Sequence, residues 1–148
     1  MTPSILLVED SNEDFVAFQR AFKQANMTYP IQRCTKGDDA LDYLYGRGRY
    51  ASLSPNPLPA LILLDLNLPG ADGRQVLSII KGDPTRKSIP VVIVTSSANP
   101  KDIEACYQAG ANSYLVKSVN FERFRHQIRV LTEYWLTIAE LPTIGEPL

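Results

Sequence analysis

A chain of 148 residues has room for one ordinary globular domain, which argues against an enzyme joined to a separate regulator. Hydrophobic residues make up 45% and charged residues 21%, and a domain of this size buries about 70% of its unfolded surface, so global disorder is excluded. Fifteen Lys and Arg against sixteen Asp and Glu leave a net charge of −1, with no overall basic excess for nucleic acid or anionic lipid, so any charge that matters is local.

Apolar runs of strand length recur along the chain, each followed by a helical pattern. Ile5 to Val8 reads as the first strand, and Ser11 caps a helix carrying Phe15, Phe18, Phe22 and Ala25 on one face. Ile31 to Cys34 is a weaker second strand, and its helix, with Ala40, Leu41 and Leu44, stops at Gly46 and Gly48. Residues 46–59, GRGRYASLSPNPLP, have two Gly, three Pro and no periodicity, and read as a long functional loop in which Arg47 and Arg49 are either solvated or face a partner. Ala60 to Leu64 is the third strand. Asp72 and Gln75 then form a capping box for the helix of Val76, Leu77 and Ile80, which Gly82 and Pro84 end. Val91 to Val94 precedes Asn99-Pro100, a cap followed by proline at the first helical position, and Gly110 closes that helix. Tyr114 to Val116 is the fifth strand, and Asn120 caps a last helix with Phe121, Phe124, Ile128, Leu131 and Trp135 at three- and four-residue steps.

Five strands alternating with five helices, the first, third and fourth strands apolar on both faces, predict a doubly wound α/β domain with a parallel sheet covered on both sides. The expected strand order is 2-1-3-4-5, as in flavodoxin-like folds. Residues 1–131 form this domain, and residues 132–148 a helical C-terminal extension.

In such a sheet, ligands bind beyond the carboxyl ends of the strands where the winding direction reverses, here between strands one and three. Strand one ends in Glu9-Asp10, strand three in Asp65, strand four in Thr95-Ser96 and strand five in Lys117. Three converging carboxylates repel unless a cation sits among them. Mg²⁺ fits, because it takes oxygen ligands and completes its shell with water or a phosphate oxygen. Asp65 is then placed as a nucleophile toward a phosphoryl group, with Lys117 and the Thr95 hydroxyl taking up charge on the phosphoryl oxygens.

The motifs LLVED, LILLDLNLPGADG, IPVVIVTS and YLVK, in this order and spacing, resemble the CheY-like receiver domain of two-component response regulators, from Ile5 to about Leu131. The resemblance implies that Asp65 is the phosphoacceptor and that Glu9, Asp10, Asp65 and the backbone carbonyl of Asn67 hold Mg²⁺ or Mn²⁺. It further implies that Lys117 contacts the phosphoryl group and that Thr95 and Tyr114 switch with it. Asn67 and Ser97 resemble positions that tune phosphate loss. The family usually has proline after the lysine, with a cis peptide bond, whereas Ser118 stands here. A cis bond without proline costs about 3–4 kcal/mol, so either the bond is trans or the site supports a strained one.

The segments GRGRYASLSPNPLP, NPKDIEACYQAGANSYLVKSVNFERF and EYWLTIAELP resemble more closely the small single-domain regulators paired with cyanobacterial phytochrome histidine kinases. That implies a red-light sensor kinase as donor, and a homodimer formed through the C-terminal region. After Leu131 the residues Tyr134, Trp135, Ile138 and Leu141 offer unusual apolar surface, read as a dimer or partner interface in preference to a segment folded back on its own domain. His126 reads as a surface residue.

Two other functions compete. Aspartate-nucleophile phosphohydrolases resemble D-x-D-x-T, but Asn67 and Pro69 stand at the acid and Thr positions, so the general acid is missing. A flavin phosphate site needs a turn of backbone donors after strand one, where EDSNED stands instead. Cys34 and Cys106, without a CxxC or Cys/His cluster, fit two reduced, buried thiols in a cytosolic protein. The N-terminus lacks a basic signal region, and the run Leu58 to Leu68 contains Asp65 and is too short to span a bilayer. The expected protein is cytoplasmic and touches neither nucleic acid nor membrane.

Overall fold

The computed structural model describes residues 4–53 and 58–143. Five parallel strands, β1 (Ile5–Val8), β2 (Ile31–Cys34), β3 (Leu61–Leu64), β4 (Val91–Thr95) and β5 (Ser113–Val116), lie in the order β2-β1-β3-β4-β5. Five helices alternate with them: α1 (Asn12–Gln24), α2 (Gly37–Tyr45), α3 (Gly73–Gly82), α4 (Pro100–Gln108) and α5 (Phe121–Glu133). This is the doubly wound sheet that the sequence predicts.

The two-residue period of a strand sends neighbouring side chains to opposite faces, and the three central strands use both. Ile5, Leu7, Leu61, Leu63, Val92 and Val94 pack with Phe18, Phe22, Phe124 and Ile128 of α1 and α5. Leu6, Val8, Ile62, Leu64, Val91 and Ile93 pack with Leu41, Leu44, Val76, Leu77, Ile80 and Cys106 of α2, α3 and α4. Phe18 meets Phe124 edge-on at 5.7 Å between ring centres, which joins α1 to α5.

The helix starts follow local chemistry. Ser11 Oγ accepts from the Asp14 N–H at 3.1 Å, Asn99 Oδ1 from Lys101 at 3.0 Å and Asn120 Oδ1 from Arg123 at 2.9 Å. Each satisfies a donor that a helix leaves free in its first turn. Asp72 and Gln75 complete the expected capping box at α3. Gly46, at φ 61°, ends α2 in the left-handed region.

Two segments differ from expectation. Part of the segment read as a long functional loop is a 3-10 helix at Gly48–Leu53, held by Tyr50, which is buried edge-on against Tyr43 at 5.2 Å and reaches Cys34 Sγ at 3.8 Å. Arg47 and Arg49 pair with Asp42 at 2.9 Å and Asp39 at 2.6 Å, which ties this segment to α2. Residues 54–57 of the same stretch lie outside the described residues. The last helix, expected to run through Trp135, instead widens after Glu133 into a π-helical turn at Tyr134–Ile138.

That turn turns part of its apolar surface inward. Trp135 and Leu136 pack against the α1/α5 core, whereas Tyr134 and Ile138 are 50% and 66% exposed. Leu141 is half-buried. Cys34 and Cys106 are free and buried, and burial pushes the Cys34 thiol up to about 12. No described helix is long and apolar enough to cross a membrane.

Candidate functional site

Parallel strands put their carboxyl ends on one edge, and the residues just past β1, β3 and β5 meet there. Glu9 and Asp65 are buried and Asp10 is exposed, and one carboxylate oxygen from each lies within 4.8 Å of the others. Lys117, following β5, enters this group. Its Nζ donates to Glu9 Oε1 at 2.6 Å and to Asp65 Oδ2 at 2.9 Å.

A third acid, Asp14 on the first turn of α1, accepts from the same ammonium at 2.8 Å. Sequence reasoning gave it no role: within EDSNED, only Ser11 reads as a helix cap, and Asp14 is one more acid in the first turn. A backbone N–H steadies each buried acid: Ser11 donates to Glu9 Oε2 at 3.2 Å and Asn67 to Asp65 Oδ1 at 3.3 Å. Asp10 makes no hydrogen bond or ion pair with any described residue and faces solvent.

The approach of α3 to this edge depends on Gly73. A Cβ there would lie 2.2 Å from the Asp65 carbonyl oxygen and 2.7 Å from Leu66 Cα, closer than side chains tolerate. The Gly73 N–H donates to the Leu66 carbonyl at 3.0 Å, so the helix start and the Asp65 loop are joined backbone to backbone.

One ammonium cannot neutralise four carboxylates, so the group carries more negative than positive charge. Burial pushes the Glu9 carboxyl up to about 7, although Lys117 pulls the other way. For Lys117, burial favours the neutral amine, but hydrogen bonds to Asp14, Glu9 and Asp65 outweigh it and hold the ammonium above its ordinary value. The donor set is all oxygen and carries surplus negative charge. It therefore fits a small hard divalent cation, with the open side at Asp10 as its way in.

Thr95 ends β4 on the same edge. It is fully buried, and its Oγ1 has no hydrogen-bond partner. An unpaired buried hydroxyl costs about 1–3 kcal/mol, a cost that makes physical sense if a ligand group arrives to pair with it. The Thr95 carbonyl accepts from the Lys117 N–H at 2.8 Å, so the hydroxyl and the ammonium are carried by adjoining strand ends.

Tyr114 does not enter the acidic group. It is half-buried, and its hydroxyl donates to the Ser97 carbonyl at 2.8 Å on the loop after β4. Ser97 Oγ donates to Asp102 at 2.6 Å, and Asp102 accepts from Arg74 of α3 at 2.9 Å. Thus the loop that follows Thr95 is tied to β5, α4 and α3 together. The C-terminal residues Tyr134, Trp135, Ile138 and Leu141 are remote from this edge, because α5 runs back along the sheet and Leu136 lies beside Met27 and Tyr29, which follow α1. His126 is exposed, with Nδ1 2.9 Å from Arg129 Nη2.

Residues 5–129 match the response regulator receiver domain. The chain belongs to that family. It is 40% identical over 138 residues to the response regulator Rcp1 of Synechocystis sp., spanning 93% of this chain and 92% of that protein. A crystal structure of Rcp1 in its Mn²⁺-bound form superposes with a TM-score of 0.90, at 39% identity, covering 95% of this chain and 99% of that one. The phosphorylated cyanobacterial phytochrome response regulator RcpA gives a TM-score of 0.89 at 40% identity, over 97% of this chain and all of that one. Identity of 41% over 135 residues, 89% of this chain and 83% of the relative, is shared with "Probable methanogenesis regulatory protein FilR2" of Methanothrix harundinacea. The chain is thus a receiver domain closely similar to the phytochrome response regulators.

Proposed function

We propose that the protein is a phosphorylation-switched signalling module in which Asp65 takes a phosphoryl group from a phosphohistidine of a sensor kinase. An Asp65 carboxylate oxygen attacks phosphorus, the P–N bond breaks, and the departing imidazole nitrogen keeps the electron pair and takes up a proton. The product is an acyl phosphate on Asp65. The observation that carries this reading is the Lys117 ammonium 2.9 Å from Asp65 Oδ2, with the unpaired Thr95 hydroxyl at the neighbouring strand end.

Glu9, Asp10, Asp65 and the Asn67 carbonyl would hold Mg²⁺ or Mn²⁺, which supplies positive charge to the phosphoryl oxygens in the transition state. Lys117 supplies further charge from the side of β5, and Thr95 donates a hydrogen bond to a phosphoryl oxygen once the group is in place. Because Tyr114 holds the Ser97 carbonyl, displacement of the Thr95 end of β4 is passed to the α4–β5 face, where the altered contacts constitute the signal. Ser97 and Asn67, beside the site, set how long the phosphate survives.

The donor is a phytochrome-type histidine kinase. Likeness to Rcp1 and RcpA supports this, while likeness to FilR2 supports a kinase with another input as the alternative. The protein acts in the cytoplasm as a homodimer, and not as an enzyme on small substrates. Val130, Tyr134 and Ile138, 49%, 50% and 66% exposed and spaced four residues apart, support a dimer face on α5 and the π-helical turn. Trp135 backs that face from the core side. Residues 132–148 are the extension that completes it.

Phosphotransfer from a phytochrome kinase under red and far-red light, with molecular size measured before and after, tests donor and assembly. Label on Asp65 that depends on the light regime, with a dimer lost in Ile138→Asp, is expected. Equal transfer from unrelated kinases, or a dimer unchanged by Ile138→Asp, would overturn the corresponding part.

A further inference from the structure

Ser118 stands where receivers usually have proline, and the structure shows what accompanies it. Gln127, half-buried on α5, uses both ends of its side-chain amide on the segment that carries the site lysine. Its Oε1 accepts from the Ser118 N–H at 3.1 Å, and its Nε2 donates to the Val116 carbonyl at 3.1 Å. These are the two peptide groups on either side of Lys117. The Lys117 N–H is itself bound to the Thr95 carbonyl at 2.8 Å.

We infer that Gln127 is a positioning residue for Lys117, its amide bridging the Val116 carbonyl and the Ser118 N–H so that the lysine side chain leaves β5 toward Asp65. The inference rests on the proposed role of Lys117. A lysine side chain has four rotatable bonds, and its ammonium finds one place reliably only if the backbone that launches it is fixed. Fixing both flanking peptides sets the direction of the Lys117 Cα–Cβ bond.

The chemistry of the pair is specific. Proline has no N–H, so the accepting half of the bridge exists only because residue 118 is not proline. The bridge needs one donor and one acceptor on the same side chain, which an amide offers and a carboxylate or a thioether does not. Gln127 also lies three residues after the buried Phe124 and one before the buried Ile128, and its hydrogen bonds to Val116 and Ser118 put its amide on the sheet side of α5. Ser118 and Gln127 together do for Lys117 by hydrogen bonding what a fixed ring would do by covalent restraint.

The test is a double-mutant cycle on the Mg²⁺-dependent rate of Asp65 phosphorylation by acetyl phosphate. The four proteins are wild type, Gln127→Met, Lys117→Ala and the double variant, with folding checked by thermal unfolding. Methionine keeps the length and helix-forming character of Gln127 and removes both hydrogen bonds. We expect Gln127→Met to lower the rate about tenfold, the scale of a misplaced charged group, and to change it less than about twofold once Lys117 is alanine. The backbone ¹⁵N–H resonance of Ser118 shifts in Gln127→Met irrespective of the rate.

Equal losses in both backgrounds would assign Gln127 a general structural role and overturn the inference, as would an undiminished rate in Gln127→Met. A rate unaffected by Lys117→Ala would instead overturn the proposed role of Lys117, which separates the two failures. If Gln127→Met does not fold, Gln127→Glu, which retains the acceptor and loses the donor, serves in the same cycle with the same two outcomes.

Discussion

Lys117 and Asp65, separated by 52 positions in the chain, are joined by a 2.9 Å ion pair in which both side chains are almost completely buried. The same ammonium serves Glu9 and Asp14, so a single cation holds three acids together at the carboxyl edge of the sheet. Removing one partner from a buried ionic group leaves the others unpaired, at a cost of about 3–5 kcal/mol. Lys117→Ala is therefore expected to destabilise the metal-free protein by about 3 kcal/mol in urea unfolding, with part of the loss recovered in saturating Mg²⁺. Unchanged stability without metal would mean that the acids are not held by Lys117.

Thr95 makes the opposite prediction. Its hydroxyl is buried and unpaired, so Thr95→Val removes an unsatisfied group rather than a bond. The metal-free variant is expected to be more stable than wild type by about 1 kcal/mol, yet to be phosphorylated more slowly. Loss of stability in Thr95→Val would show that the hydroxyl is already satisfied.

Gly73 tests the backbone that carries Asp65. A methyl group at this position would sit 2.2 Å from the Asp65 carbonyl oxygen, so Gly73→Ala must push α3 or the Asp65 loop aside. Mn²⁺ binding, followed by the paramagnetic broadening of nearby amide signals, is expected to weaken at least about tenfold, while Gly82→Ala, with open space around it, leaves binding unchanged. Equal binding by both variants would refute the tight approach.

Away from the site, Asp83 reports on pH. Its carboxylate accepts from the Tyr45 hydroxyl at 2.5 Å, the Thr85 N–H at 2.8 Å and Arg86 at 3.0 Å, and these hold its carboxyl down at about 2, with the Tyr45 bond the largest cause. A lowered folded value means stabilisation that is complete above the unfolded value of 3.8 and is lost as pH falls toward 2. The stability difference between wild type and Asp83→Asn should therefore shrink between about pH 4 and pH 2. A difference constant across that range would mean that Asp83 is not so held.

Most of the fold and the centre of the site were legible because they rest on short-range rules. The strands ended where apolar runs met Glu9, Asp65, Thr95 and Lys117, and strand topology alone carries those ends to one edge. Caps at Ser11, Asp72, Asn99 and Asn120 were equally local.

Asp14 and Gln127 were missed for one physical reason. Asp14 finds its partner 103 residues away, and within its own helix it looks like any acid in a first turn. Gln127 reaches Ser118 and Val116 by crossing from helix to strand, so only the docking of α5 reveals the bridge. The 3-10 helix at Gly48–Leu53 was hidden because its anchor, Tyr50, depends on Tyr43 and Cys34, and a single aromatic residue leaves no period to read.

The central claim, that Asp65 is the phosphoacceptor of a metal-dependent site, is tested most directly by mass spectrometry of the protein after acetyl phosphate treatment, with and without Mg²⁺. The account predicts one added phosphoryl group, formed only with the metal, located on the peptide containing Asp65 and absent from Asp65→Asn. A phosphoryl group on another residue of the wild-type protein, or equal labelling of Asp65→Asn, would contradict it.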